Sequence, residues 1–345
     1  MRARTTSRRV AAVAVVGLLV AACSGGGDIT ESGDDDGTTT TTEPGQTLAP
    51  TTTVAPDLLP DCPTDALESA TGTVELTFWT GMSGPLAEAL QALTDEYNAS
   101  QTKVKVSLVN DTYEGTANNY QRASQDSRPD LVQMPEYMVQ AMVDSESTVP
   151  VGKCIDSSGF DTSAFLPTAL SAYSTQGVQW GMPFNISNPV LYYSKKAFAA
   201  AGLDPDKPPV SLEELREMSQ TLVDSGVVKY GLALDSNFDG GGGWYIEQWF
   251  AKAQEYYVDG DNGRTNRASK VLYNNDLGVE LLTFLQDMIN DNLAVSVGSN
   301  ESGQDDLLKL ADEEAPAAMT IHTSAALRGA LDVLATSLEA KAAEF

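Results

Sequence analysis

The sequence contains few cysteines, histidines and basic residues, and each shortage excludes a class of function. Three cysteines and one histidine in 345 residues are too few for a zinc site, and we expect neither a metal nor a cofactor. The 21 basic residues stand against 48 acidic ones, and a formal charge of -27 excludes a broad surface for DNA or RNA. A single His, with no Gly-x-Ser-x-Gly stretch, argues against a Ser-His-Asp hydrolase.

The first 22 residues predict a lipoprotein signal peptide. Four arginines precede an apolar stretch, Val10–Val20, that is too short to span a bilayer comfortably. The following Ala-Ala-Cys23 completes a motif similar to a bacterial lipobox, which implies that Cys23 is diacylated. The alternative is an ordinary signal peptide that happens to contain a cysteine. We therefore expect a bacterial protein anchored by lipid to the extracytoplasmic face of the cell membrane, with no other membrane contact.

Residues 23–60 predict a disordered tether. Their composition is dominated by Thr, Gly and Asp, and residues 24–60 contain no Lys or Arg. Such a segment cannot bury enough apolar area to offset the entropy lost on ordering. It would hold the folded part of the chain away from the membrane.

Two cysteines remain once Cys23 is assigned to lipid. Cys62 and Cys154 form an even pair in a chain exported to a compartment where disulfides persist, so we predict that they are bonded. In the loop-entropy model such a bond contributes about 3–5 kcal/mol. The alternative is two unrelated buried thiols.

Alternating strand and helix patterns predict an α/β fold with two lobes, residues 61–185 and 186–345. Strand patterns of the first lobe lie at residues 74–78, 104–108 and 130–134. Between the first two of these, Ser83 can cap a helix with an apolar stripe formed by Leu86, Leu90, Leu93 and Tyr97. This order is typical of a mostly parallel sheet covered by helices.

The second lobe also shows strand patterns alternating with helix patterns. Ser211-Leu-Glu-Glu214 has the spacing of a capping box at the start of a helix. Leu232 and Leu234 predict a strand, residues 317–321 predict another, and a helical stripe consists of Leu277, Leu281, Leu285 and Met288.

Polar residues interrupt the apolar stretch that joins the lobes. Asn185, Ser187 and Asn188 lie there, just before Pro189. Open α/β sheets bind ligands at the carboxyl ends of their strands, and two facing lobes form a cleft. The crossing segment would line that cleft and act as its hinge, which makes these three side chains candidate ligand contacts. The alternative is an irregular surface turn.

The segment Pro183–Leu203 resembles the crossing segment of family 1 extracellular solute-binding proteins, which capture ligands for ABC importers. Three further motifs agree with this family in matching order: Phe78-Trp79, Asp204–Pro209 and Ala317–Ser324. The resemblance covers residues 73–345 and is strongest to the branch that binds glycerol-3-phosphate and glycerophosphodiesters. It implies a two-lobed periplasmic-binding-protein fold (type II, Venus-flytrap) and a monomeric, non-catalytic receptor that delivers a polyol-containing solute to ABC permease subunits.

The branch's motifs assign ligand contacts by resemblance. The matching positions here are Tyr113, Glu136, Ser187 and Thr323. A carboxylate such as Glu136 accepts hydrogen bonds from two neighbouring ligand hydroxyls, while Tyr113 offers a flat face and a hydroxyl. Ser187 and Thr323 would donate to ligand oxygens. Ser324, at a helix start, is expected to present free backbone N–H groups to an anion.

The sequence departs from the family at two places. A Trp that members often have is missing where Pro208-Pro209 continues into Leu212; Trp244 can supply an aromatic face instead, with a core Trp as the alternative. The chain also ends at Phe345, before the segments that close the fold in the family, so we expect the fold to lack its C-terminal part. The branch's phosphate-contacting Arg has no counterpart, which leaves either a fragment or a less charged ligand.

Two other functions compete with the receptor. An exported glycoside hydrolase would use Glu114 and Glu136 as its acid and base. A scaffold lipoprotein would have an empty cleft. Product formation discriminates the first from a receptor, and the lack of any thermal shift with small polyols discriminates the second.

Overall fold

A computed structural model describes residues 59, 61–236, 244–297 and 305–332. The predicted signal peptide, Cys23 and nearly all of the predicted tether lie outside these residues. Leu59, at the end of the predicted tether, is buried against Val139 and Trp180. Packed structure therefore begins by Leu59.

The first lobe is built on a three-stranded parallel sheet. Its strands are β1 (Val74–Thr80), β2 (Val104–Asn110) and β3 (Leu131–Val132), in the order β2-β1-β3. All three match predicted strands, although β3 has only two residues. The helices of this lobe are α1 (Ala66–Ser69), α2 (Gly84–Ser100), α3 (Tyr113–Arg122), α4 (Val139–Asp144), α5 (Val151–Ser158) and α6 (Pro167–Ala172). A hairpin of β4 (Ser174–Thr175) and β5 (Val178–Gln179) follows them and packs on α4.

Helix α2 faces the sheet with a different side from the one its apolar stripe predicts. Leu93 is 64% exposed and Tyr97 48% exposed, whereas Thr94 is buried. Asn98 on the inner face exchanges two hydrogen bonds with the backbone of Val106, at 2.9 and 2.8 Å. Ser83 stands at the predicted N-cap position, but its side chain makes no capping hydrogen bond. Hydrogen bonding to β2, rather than burial of leucines, orients this helix.

The second lobe contains a four-stranded mixed sheet in the order β6-β9-β7-β8. The strands are β6 (Pro189–Tyr193), β7 (Tyr230–Asp235), β8 (Ala294–Val297) and β9 (Ala317–Thr323). The helices are α7 (Lys195–Ala200), α8 (Leu212–Asp224), α9 (Tyr245–Lys252), α10 (Asp259–Gly263), α11 (Asp276–Asn290) and α12 (Asp305–Leu308). β9 runs parallel to β7 and antiparallel to β6. The chain crosses between the lobes in the coil between β5 and β6.

Local signals in the second lobe are confirmed. The Ser211 hydroxyl accepts a hydrogen bond from the Glu214 N–H at 3.1 Å, and the Glu214 carboxylate accepts one from the Val210 N–H at 2.8 Å. The stripe of α11 faces inward, with Leu281 and Met288 buried in the main core. That core joins α7, α8, α9 and α11 to β7, β8 and β9.

The predicted disulfide between Cys62 and Cys154 is confirmed. It joins the start of the first lobe to α5, with a Cα–Cα distance of 4.9 Å and a sequence separation of 92. Within the described ranges, no helix is both long and apolar enough to cross a bilayer.

Candidate functional site

Three parallel strands of the first lobe end at one edge, and their following residues converge there. The Gln133 side-chain oxygen accepts hydrogen bonds from the Thr80 hydroxyl at 3.0 Å and from the Gly81 N–H at 2.9 Å. This ties the end of β3 to the end of β1. Tyr113 begins α3 just after β2, and a Cβ at Gly81 would lie 2.6 Å from the Tyr113 Cα. Only glycine allows β1 to end this close to Tyr113.

Tyr113 and Glu136 lie near one another, as the family resemblance implied. Crowding by the surrounding protein removes hydration from the Tyr113 phenol and raises its pKa, and the Glu136 carboxylate raises it further. Tyr113 nevertheless keeps 41% of its surface exposed. Its phenol is therefore held protonated and accessible, so it can donate a hydrogen bond, while the exposed Glu136 can accept them.

Two further tyrosines, which the sequence reasoning missed, lie beside this pair. Loss of hydration raises the pKa of Tyr137, and the Glu114 and Glu136 carboxylates add to the effect. Burial also raises the pKa of Tyr173, with a contribution from Glu136. Neither tyrosine stands in a motif that would have indicated a site. The edge thus combines phenol donors with carboxylate acceptors, a set suited to a hydroxyl-rich ligand.

The second lobe adds a carboxylate and a cation that were also missed. Loss of hydration raises the pKa of Glu247 in α9, and the Glu136 carboxylate of the first lobe raises it further. Arg264 lies just after α10, and its positive charge partly offsets the rise in the pKa of Tyr173. The two lobes therefore face one another here. Among the described residues, Arg264 has no recorded ion pair and is half-buried.

The crossing segment lies on the end of β1. The Asn185 side-chain amide donates to the Met82 sulfur at 3.5 Å. The rings of Phe78 and Phe184 meet edge to face, with centroids 5.5 Å apart. Ser187 follows in the same segment and is half-buried. These contacts place predicted crossing residues at the edge where Tyr113 lies.

The end of β9 is bound to the crossing segment by two hydrogen bonds. The Asn188 N–H donates to the Ser324 hydroxyl at 3.2 Å, and the Ser324 N–H donates to the Asn188 carbonyl at 2.9 Å. The expectation that the Ser324 N–H is free for an anion is therefore wrong. Its hydroxyl proton is not used in this pair and can donate to a ligand.

Thr323 has a local role that leaves part of its hydroxyl available. Its side-chain oxygen accepts from the Ala325 N–H at 3.2 Å, which caps the short 3-10 turn Ser324–Ala326. The hydroxyl proton remains for a ligand oxygen. Trp244 directly precedes α9 and is half-buried, while the neighbouring Tyr245 packs on Trp249 with ring centroids 5.1 Å apart.

Comparison with known proteins identifies the family. Residues 83–340 match the family model of the bacterial extracellular solute-binding proteins. The chain belongs to this family. No group of three His, Cys, Asp or Glu side chains that could hold a metal occurs within the described part of this solute-binding protein.

Curated relatives of this solute-binding protein include sn-glycerol-3-phosphate-binding periplasmic proteins named UgpB. The UgpB of Pectobacterium atrosepticum is 31% identical over 234 residues, which cover 64% of this chain and 50% of the relative. The UgpB of Brucella abortus is 30% identical over 224 residues, which cover 63% of this chain and 51% of the relative. The chain thus spans about half the length of the curated relatives that it matches. These relatives are binding proteins, not enzymes, so the hydrolase alternative loses support.

Solved structures confirm the predicted two-lobed fold. UgpB from Mycobacterium tuberculosis, in complex with glycerophosphocholine, superposes with a TM-score of 0.62 at 18% identity and covers 76% of this chain and 65% of its own. The GacH receptor of Streptomyces glaucescens, solved unliganded and with acarbose, superposes with a TM-score of 0.61 at 19% identity. The match covers 75% of this chain and 62% of the receptor. The likeness is one of fold.

Proposed function

We propose that this chain is a lipid-anchored receptor that binds a polyol-containing solute and delivers it to the permease of an ABC importer. The solute would be glycerol-3-phosphate, a glycerophosphodiester or a sugar. The observation that carries the proposal is the convergence of Tyr113 and Glu136 at the strand-end edge of the first lobe, next to the place where the hairpin of that lobe bonds to the Arg264 carbonyl of the second. A ligand held there touches both lobes, so it favours the state in which they are closed.

Each proposed contact has a chemical role. Glu136 accepts from neighbouring ligand hydroxyls, and the protonated Tyr113 phenol donates to a ligand oxygen. The free hydroxyl protons of Thr323 and Ser324 donate from the second lobe. The remaining proposed contacts are Asn185, Ser187, Asn188 and Trp244.

The export steps rest on the sequence. The lipobox-like motif supports acylation of Cys23 at the extracytoplasmic face of the membrane. The family match supports delivery to permease subunits by a monomeric receptor. Globomycin-sensitive processing of the full precursor, together with incorporation of labelled fatty acid that is lost in Cys23→Ala, tests the anchor. Unlabelled wild-type protein would contradict it.

A thermal-shift screen of the purified chain tests the binding function. The probes are glycerol-3-phosphate, glycerophosphocholine, maltose and trehalose. A true ligand at 100 times its Kd should stabilise the protein by about 2.7 kcal/mol, and the ligand should be recovered unchanged. Shifts with the disaccharides alone would overturn the glycerol-phosphate assignment but keep the receptor. No shift with any probe would favour the scaffold alternative.

A further inference from the structure

A loop of the second lobe reaches across to the first lobe. We name residues 259–271 the latch loop. The Gln176 N–H of the first-lobe hairpin donates to the Arg264 carbonyl at 2.7 Å. The Thr175 hydroxyl, in a residue only 2% exposed, lies 3.3 Å from the Gly263 carbonyl. Arg267 forms an ion pair with Asp144 in α4.

The latch loop is held in shape by its own hydrogen bonds. Val258, which directly precedes the loop, forms an isolated β-bridge with Val271 at its end. The Asp259 carboxylate accepts from the backbone N–H groups of Ser269 and Lys270, at 2.7 and 3.0 Å. The four residues 260–263 all have positive φ, from 52° to 79°, which forms a compact left-handed turn. A loop already fixed in this way loses little further entropy when it docks.

The docking surface of the loop adjoins the candidate site. Thr175 and Gln176 are separated from Tyr173 only by Ser174. The charges of Glu136 and Arg264 both act on the pKa of Tyr173. Opening the cleft at this point would have to break the bonds from Thr175, Gln176 and Asp144. None of these three residues is among the proposed ligand contacts.

We propose that residues 259–271 form an interlobe latch that docks on the β4–β5 hairpin and on Asp144 and sets how long the solute stays bound. The proposal rests on the receptor function. The latch bonds join the two lobes whether or not a solute is bound, so their loss should raise the rate of ligand release more than it changes the association rate. The Arg267–Asp144 pair is partly exposed, with 48% and 31% of the side chains accessible. The expected increase in release rate is therefore modest, about 1.5- to 5-fold for the pair alone.

The test uses Arg267→Gln, Asp144→Asn and the double variant, each in the whole chain. Lys105→Gln is the matched control, because it breaks an exposed ion pair with Glu75 that lies within the first lobe. Stopped-flow tryptophan fluorescence measures the dissociation of whichever of the four screened solutes binds. We expect both single variants to release it faster and the double variant to release it no faster than either single one, while Lys105→Gln behaves as wild type. The latch would be overturned if the two substitutions multiplied their separate increases in release rate in the double variant, or if neither changed the release rate.

Amide hydrogen exchange separates a failed latch from a failed receptor. In ligand-free protein the Gln176 amide should be protected in the wild type and in Lys105→Gln, and it should exchange several-fold faster in Arg267→Gln. An unprotected wild-type Gln176 amide would refute the latch even if ligands bind. If none of the four solutes binds, the receptor proposal fails for those solutes, and the latch stands or falls on this exchange alone.

Discussion

Glu136 is exposed at the edge where three parallel strands end, and a charged acceptor there can bond two ligand hydroxyls at once. Glu136→Gln keeps the shape and removes the charge. It should cost about 1.5–3 kcal/mol of binding free energy, roughly 10- to 150-fold in Kd. Isothermal titration calorimetry with a solute found by the screen measures this. Glu96→Gln, at an exposed position of α2, is the control and should bind normally. An unchanged Kd in Glu136→Gln would remove Glu136 from the site.

Glu247, an exposed residue of α9, is the second-lobe carboxylate whose pKa responds to Glu136 of the first lobe. Its pKa is raised above the ordinary value by lost hydration and by Glu136. A carboxyl with a raised folded-state pKa contributes stability below its unfolded pKa of 4.5, and that contribution is lost as the pH rises through the folded value. Ionised Glu247 therefore costs stability at neutral pH.

Glu247→Gln should accordingly be more stable than wild type at pH 7, and the gain should shrink toward pH 4. Urea unfolding across this range measures it. Glu255→Gln provides a control at an exposed position beyond the same helix. A gain that is equal at both pH values would show that the pKa of Glu247 is not raised in the folded protein.

Part of the site follows from sequence at the residue scale. Tyr113 and Glu136 could be proposed as ligand contacts because each stands in a short motif that resembles one of the family's, beside a strand end. Glu247 and Arg264 could not, since only the packing of distant segments brings their charges to Glu136 and Tyr173. The N–H of Ser324 was misassigned for the same reason. Its partner, Asn188, is 136 residues away.

At the scale of helices and strands, the two helix caps show which local sequence signals correspond to a hydrogen bond. Ser211 caps α8 with a hydrogen bond to Glu214, whereas Ser83 makes no such bond to α2. Ser211→Ala should therefore destabilise the protein by about 1 kcal/mol, while Ser83→Ala should have almost no effect. Urea unfolding of the two variants compares matched substitutions. Equal losses would mean that the capping geometry does not decide the difference.

Helices and strands were predictable where the pattern is local. The stripe of α11 and the capping box of α8 specify both the helix and its inner face. In α2 the leucine stripe correctly predicts a helix but not its orientation, because Asn98 binds the backbone of β2. The brief β3 has only two paired residues, so its ends could not be read from alternation.

The disulfide is the main constraint at the scale of the whole molecule. It closes a separation of 92 residues that includes the entire first sheet. Replacing Cys62 and Cys154 together by Ser should cost about 4.6 kcal/mol in the loop-entropy model. Urea unfolding without reductant measures this, and wild type unfolded with reductant should match the double variant. A loss well below 1 kcal/mol would show that the reduced chain retains the same constraint.

The disulfide and Leu59 also determine where the N-terminal end of the folded chain is held. Both grip elements of the first lobe, through α5, Val139 and Trp180. A force applied at Leu59 or Cys62 would therefore enter the folded chain through the first lobe.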